Sequence, residues 1–134
     1  MFTSKMSLRV RYAETDQMGF VYHGNYAQYF EVARVESLRT LGFSYAQMER
    51  DGVLLPVMEH AHKFLKPAHY DDELTIKTTV PELPLARFKF EYEVHNAAGD
   101  LLTTGTTTLF FLNKETNRPM RAPQELLDAM KKFF

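Results

Sequence analysis

From Asn25 to Leu41 the chain carries a helical repeat that is apolar around too much of its circumference for a helix lying on a surface. Tyr26, Tyr29, Phe30 and Ala33 make the i, i+3, i+4, i+7 stripe of an amphipathic helix. Val32 and Val35 widen that stripe well past one face. Such a helix is expected to have protein on more than one side. Gly42 supplies a stop, and Ser44 caps a second short helix, Ser44–Arg50, closing near Gly52.

What surrounds the helix has the two-residue period of β-strands. Lys5–Tyr12 sets Met6, Leu8, Val10 and Tyr12 against Lys5, Ser7, Arg9 and Arg11. Glu73–Val80 keeps Leu74, Ile76, Thr78 and Val80 on one side. Ala86–His95 alternates most cleanly: Ala86, Phe88, Phe90, Tyr92 and Val94 point inward, and Arg87, Lys89, Glu91, Glu93 and His95 outward. Leu54–His69 reads as extended up to Pro67, and Leu101–Leu112 as a Thr-rich, aromatic strand. Alternation of this kind belongs to an antiparallel sheet with one solvated face. Pro81–Pro84 joins two strands, and Ala97–Asp100 is a hairpin turn. Pro123 takes the first position of a C-terminal helix reaching Phe134. One apolar helix and one antiparallel sheet define an α+β class, with a five-stranded sheet curled around one long central helix. Its edges stay open, so pairing with a second copy through an edge strand is expected.

The 134 residues are one domain's worth of chain, 1–134, with no linker or repeat. Lys+Arg 16 against Asp+Glu 17 leaves a net charge of -1. Without a basic excess there is no counterion release to drive nucleic-acid binding, nor a polybasic membrane anchor. Cysteine is absent, which excludes disulfides, a thiolate nucleophile and zinc–thiolate sites. The first residues hold no apolar signal core, and no run of about 18 apolar residues occurs. A cytoplasmic protein without stable membrane insertion is expected.

The chemistry concentrates in ETDQMGFVYHGNYAQYFE, Glu14–Glu31. Asp16 lies in a loop just before the long helix. One reading is a turn carboxylate bonded to its own backbone. The other depends on its neighbour, because the first amides of a helix lack partners and carry the positive end of its dipole. A carbonyl oxygen placed there is polarised, and a nearby carboxylate can act on the carbonyl carbon as base or nucleophile. Donor plus carboxylate is the minimum constellation for acyl transfer to water.

These residues resemble the opening of the 4-hydroxybenzoyl-CoA thioesterase-like hotdog family, closest to its bacterial acyl-CoA thioesterase branch associated with the Tol–Pal system. HAHKFLKPAHYDDEL (His60–Leu74), TTGTTTLFFLN (Thr103–Asn113) and RPMRAP (Arg118–Pro123) match in the same order. The resemblance implies a hotdog fold, acyl-CoA substrates, no cofactor or metal, and a homodimer or homotetramer as the working unit. It maps the catalytic carboxylate onto Asp16 and the amide that binds the thioester oxygen onto the main chain of His23. Gly19 shapes the loop, and Val21, Tyr22, Asn25 and Tyr26 complete the matched substrate-binding set. Tyr26 also lies on the helix's apolar stripe with Tyr29, whereas Tyr22 is the freer pocket residue. Val57, Met58, Glu59 and His60 are implied to line the acyl pocket across the dimer interface.

His60, His62 and His69, with Glu59, Asp71 and Asp72 nearby, match no strong metal-ligand spacing. Arg118 and Arg121 are the best cations for CoA phosphates. Glu31, Arg34 and Glu36 suggest an ion pair inside the helix packing. The activity expected is thioester hydrolysis to a free acid and CoA. A non-catalytic acyl-CoA or acyl-carrier-protein binding module on the same scaffold is the alternative, but a binder needs no carboxylate facing an electrophilic carbon. A hotdog hydratase would need a His-containing hydratase segment that the sequence lacks.

Overall fold

The structure, a computed structural model, describes all 134 residues. Strand β1 (Phe2–Arg9) leads through a loop to helix α1 (Asn25–Arg39) and helix α2 (Tyr45–Arg50). Strands β2 (Val53–Leu54), β3 (Val57–Phe64), β4 (Glu73–Val80), β5 (Arg87–His95), β6 (Leu101–Asn113) and β7 (Arg118–Met120) follow, and helix α3 (Gln124–Met130) closes the chain. All pairings are antiparallel. The long strands run in the order β1-β4-β5-β6-β3, because Leu109 of β6 faces both Val57 and Phe88. The two-residue β2 and three-residue β7 flank the far end of β6, at Asn113. The sheet therefore has seven strands rather than the five expected. The two extras are too short to carry a period. No helix is long and apolar enough to cross a membrane.

Helix α1 reaches both edges of the sheet. It contacts β1 and β4 on one side, while Phe30 meets His62 of β3 at 5.0 Å and Tyr26 meets Phe64 at 5.3 Å on the other. Five flat strands at ~4.8 Å spacing would span roughly 19 Å, wider than a helix of ~10 Å. Contact with both edges requires the sheet to curl around the helix, the α+β hotdog arrangement expected. At the centre Phe30 stacks on Tyr92 at 4.2 Å and 11°, and Phe88 stacks on Phe90 at 4.4 Å. All four rings are buried; burial of each such side chain stabilises by about 1.5–3 kcal/mol.

The alternation holds for Phe88, Phe90, Tyr92 and Val94, and for Leu74, Ile76, Thr78 and Val80, all buried. It fails at the strand ends. Ala86 precedes β5 and is exposed, and Tyr12 turns out of β1 into a short 3-10 turn and is exposed. Pro123 is the N-cap of α3 rather than its first residue. Ser44 caps α2 as expected, accepting the Gln47 amide at 3.2 Å. Within one chain α1 buries one face: Tyr26, Tyr29, Phe30, Ala33 and Leu38 are covered, but Val32 stays 45% exposed. The expected ion pair inside that packing does not form. Glu36 pairs with Arg39 at the surface, and Arg34 is buried with Nη1 3.2 Å from the Tyr92 hydroxyl.

Gly105 of β6 sets the distance between helix and sheet, since a Cβ there would lie 2.7 Å from Cε2 of Phe30. Gly105→Ala is expected to cost about 1–3 kcal/mol by overpacking. Combining it with Phe30→Leu should recover part of the loss in a denaturation double-mutant cycle; strict additivity would refute the contact.

Candidate active site

The segment between β1 and α1 is fastened at several points. Val21 donates to Ala68 O at 2.8 Å and Tyr22 to Glu14 O at 2.9 Å. Phe20 bridges to His69 in antiparallel fashion. Inside this frame the chain reverses tightly: Asp16 N–H donates to Phe20 O at 2.8 Å, and Gly19 N–H to Asp16 O at 3.0 Å. Gly19 has φ +81°, a left-handed conformation that other residues adopt at a cost of about 1–2 kcal/mol.

Asp16 closes the reversal with one carboxylate oxygen. Its Oδ1 accepts the Met18 amide at 2.9 Å and the Phe20 amide at 3.2 Å. Its Oδ2 receives no hydrogen bond from the chain. The turn reading and the catalytic reading thus each claim a different oxygen. The half-buried carboxylate borders a cleft of about 270 Å³ shared with Met18, Phe20, Val21, His23, Tyr26, Phe64, Leu65, Lys66 and Pro67.

His23 sits on the same cleft, where the chain turns into α1. Asn25 N–H donates to Tyr22 O at 2.9 Å and Tyr26 N–H to His23 O at 3.2 Å. Those two amides are satisfied by the turn, whereas the His23 amide has no acceptor within the chain. It lies at the positive end of the helix dipole. The imidazole is exposed, 4.4 Å from the Tyr22 ring and 6.3 Å from Phe64. Asp16, with one carboxylate oxygen unbonded, and His23, with its amide unbonded, therefore line the same largely apolar cleft.

The remaining expected residues divide into three groups. Val21 and Tyr26 line the cleft but are 6% and 2% exposed, so they form its floor. Tyr22 is 49% exposed and lies over Gly24, where a Cβ would come within 2.8 Å of its ring. Asn25 does not line the cleft; its Nδ2 donates to Glu14 O at 2.8 Å. Val57, Met58, Glu59 and His60 lie exposed on β3, away from Asp16 within one chain. Val57 and His60 instead border a second cleft of about 270 Å³ beside α1, with Glu31, Arg34 and Thr107. Arg118 and Arg121 are exposed at the Asn113 end of β6. Thr103, beside Phe64, is at the other end. Ten residues of strand separate the two ends, roughly 30 Å, so the arginines do not reach the Asp16 cleft of their own chain.

The three histidines do not converge. His60 Nδ1 and His62 Nε2 are 3.3 Å apart, while His69 pairs with Asp72 at 3.7 Å. Burial, with the neighbouring His60, holds the His62 imidazole below its ordinary pKa. No three His, Asp or Glu side chains gather into a metal-binding group.

Three contributors, Phe64, Lys66 and Glu14, carry no role in the sequence pattern alone. Phe64 and Lys66 wall the cleft because β3 ends beside the loop, a pairing that no local pattern encodes. Glu14 is a buried carboxylate, 8% exposed, whose Oε1 accepts the Arg11 amide and the Tyr29 hydroxyl, both at 2.9 Å. Its Oε2 accepts Arg11 Nε at 3.1 Å and Nη2 at 2.9 Å. Burial pushes the Glu14 carboxyl up, but the Arg11 and Tyr29 hydrogen bonds and the Arg11 charge outweigh it and leave the pKa lowered. The Arg11–Glu14 spacing was the available signal.

Comparison with known proteins identifies the family of the chain. Residues 10–130 match the family model described as the Thioesterase-like superfamily. YneP of Bacillus subtilis (strain 168) is 38% identical over 121 residues, covering 90% of this chain and 88% of its own. The acyl-CoA thioesterase YbgC of Haemophilus influenzae is 32% identical over 123 residues, covering 91% and 90%. The solved DHNA-CoA thioesterase of Staphylococcus aureus superposes with a TM-score of 0.93 at 39% identity, covering 99% of this chain and 91% of that one. A match across nearly the whole chain, on the fold that curls a sheet around α1, makes this protein a member of the thioesterase-like superfamily.

Proposed function

We propose that the protein hydrolyses an acyl-CoA thioester to a free acid and CoA at the Asp16 cleft. The observation that carries this reading is that the uncommitted Oδ2 of Asp16 and the unpartnered amide of His23 belong to residues of one cleft. The thioester oxygen accepts the His23 N–H, which stabilises the charge that develops as the carbonyl becomes tetrahedral. Such a donor contributes about 10²–10³-fold. Asp16 takes a proton from the water that attacks the carbonyl carbon and expels CoA thiolate. In the other route it adds to that carbon itself and expels the thiolate, leaving an anhydride that water then cleaves to free acid and Asp16. Both routes use the same free oxygen. Tyr26, Phe64 and Leu65 exclude water around it. The names of the acyl-CoA and DHNA-CoA thioesterases reported above support a CoA ester as the substrate class.

The working unit in this proposal is a homodimer paired through β3. That strand bonds only β6, so its outer edge offers free backbone groups. Antiparallel pairing of two such edges sets the Val57 end of one β3 beside the Phe64 end of the other. Val57, Met58, Glu59 and His60 then reach the partner's Asp16 cleft as acyl-pocket residues. Arg118 and Arg121 meet CoA phosphates only as residues contributed by another protomer.

Asp16→Asn keeps an oxygen for the Met18 and Phe20 amides but loses the base. It should lower kcat by ~10²–10⁴-fold in a thiol-release assay over a panel of acyl-CoAs, with unchanged circular dichroism. Near-parental kcat in that variant would sink the assignment. Native mass should read at least twice the 15.6 kDa of one chain; a single-chain mass in an active preparation would refute the dimeric unit.

A further inference from the structure

We propose that Glu14 is a positioning residue that holds the two halves of the site in register. This inference rests on the acyl-transfer reading of the Asp16 cleft and adds the part that keeps its geometry.

The halves lie on different pieces of backbone. Asp16 belongs to the reversal closed by Gly19, and the His23 amide belongs to the start of α1. Glu14 lies two residues before Asp16 and is bonded to the segment that carries His23. Its carbonyl oxygen accepts Tyr22 N–H at 2.9 Å and Asn25 Nδ2 at 2.8 Å, which fastens the residue before His23 and the first residue of α1. Thr15, between Glu14 and Asp16, bridges Val21 across the loop. The Glu14 carboxylate anchors this junction to the core: Tyr29, 4% exposed on the inner face of α1, donates its hydroxyl to Oε1. Arg11, in the loop two residues past β1, donates its amide to the same oxygen and its guanidinium to the other. Four donors from a loop residue and a helix residue therefore converge on one carboxylate. Glu14 does not line the cleft and touches no reacting atom.

A loop held only by its own reversal would let the carboxylate drift relative to the amide. Misplacement by about 1 Å costs on the order of 10²-fold in rate. A buried carboxylate bonded to the loop after β1 and to α1 removes that freedom, because neither piece can shift without breaking a charge-assisted bond. Buried charges are stable only when paired and bonded in this way.

The test is Glu14→Gln, with Tyr29→Phe as a second variant that removes one donor and keeps the ring. Gln keeps the shape but presents an amide donor to the Arg11 guanidinium. Acyl-CoA hydrolysis is read well below each variant's Tm, beside Asp16→Asn. Glu14→Gln is expected to lower kcat about 10- to 100-fold with KM within about twofold, and Tyr29→Phe to lower kcat by a smaller factor. Amide hydrogen exchange should rise at residues 15–24 in both variants while the β5 and β6 amides remain protected. Parental kcat in folded Glu14→Gln, or parental kcat and exchange in Tyr29→Phe if the first variant does not fold, would overturn the proposal. A parent enzyme that cleaves no acyl-CoA would instead defeat the acyl-transfer reading, and the exchange measurement would still report whether Glu14 orders the loop.

Discussion

Everything in this molecule depends on how closely α1 can approach the sheet. Phe30 enters where Gly105 leaves β6 without a side chain and stacks on Tyr92 from β5. A side chain at that position would push the helix outward, and the sheet would lose its curl, since both edges bend inward to reach the same helix. The approach also fixes the start of α1, and with it the amide of His23. Core packing and the site are thus a single geometric problem. The aromatic stack decides where the helix lies, and the helix decides where the His23 amide points.

Charge is arranged around that frame with unequal care. Glu14 is buried and receives four donors, so its desolvation is offset and its pKa falls below the ordinary carboxylate value. Arg34 is buried at 7% exposure with no carboxylate partner, and its Nε has no acceptor. The Tyr92 hydroxyl shares a bond with it, while burial drives that hydroxyl's own pKa up to about 12. The first arrangement locks a loop. The second leaves a guanidinium beside the cleft between α1 and β3, on the open side of a single protomer.

The parts legible in the sequence were those governed by local period or local covalent chemistry. Phe88 to Val94 alternate because each contributes one ring or branched side chain to the same face. Ser44 and Gly99 announce a cap and a turn through backbone preferences that need no distant partner. Asp16 was legible through motif resemblance, and its Oδ1 bonds also satisfy the local turn reading. Phe64 and Lys66 were not legible, because their place in the cleft comes from the pairing of β3 with β6 across dozens of residues. Val32 misled the reading: an apolar helix position implies a cover, but one chain supplies none. Strand-end residues such as Ala86 and Tyr12 misled it for a simpler reason, since periodicity does not say where hydrogen bonding stops.

The exposed face of α1 and the open edge of β3 are adjacent, and their combination argues for more than a sticky surface. An edge strand with free backbone groups is normally blunted by charge, proline or a covering element. On β3, Glu59 and Lys63 are the only formal charges, and the inward row His60, His62 and Phe64 is imidazole and phenyl. The His60 and His62 rings lie 3.3 Å apart, nitrogen to nitrogen, and burial, with His60 beside it, holds the His62 imidazole below its ordinary pKa. With Glu59 offset by Lys63, two such edges carry no net charge against each other under a two-fold axis. That symmetry would also resolve the separation of Val57–His60 from Asp16, since residues distant along one β3 become neighbours across two. In the dimer proposed above, Asp16 and His23 come from one chain and the walls for the acyl group from its copy.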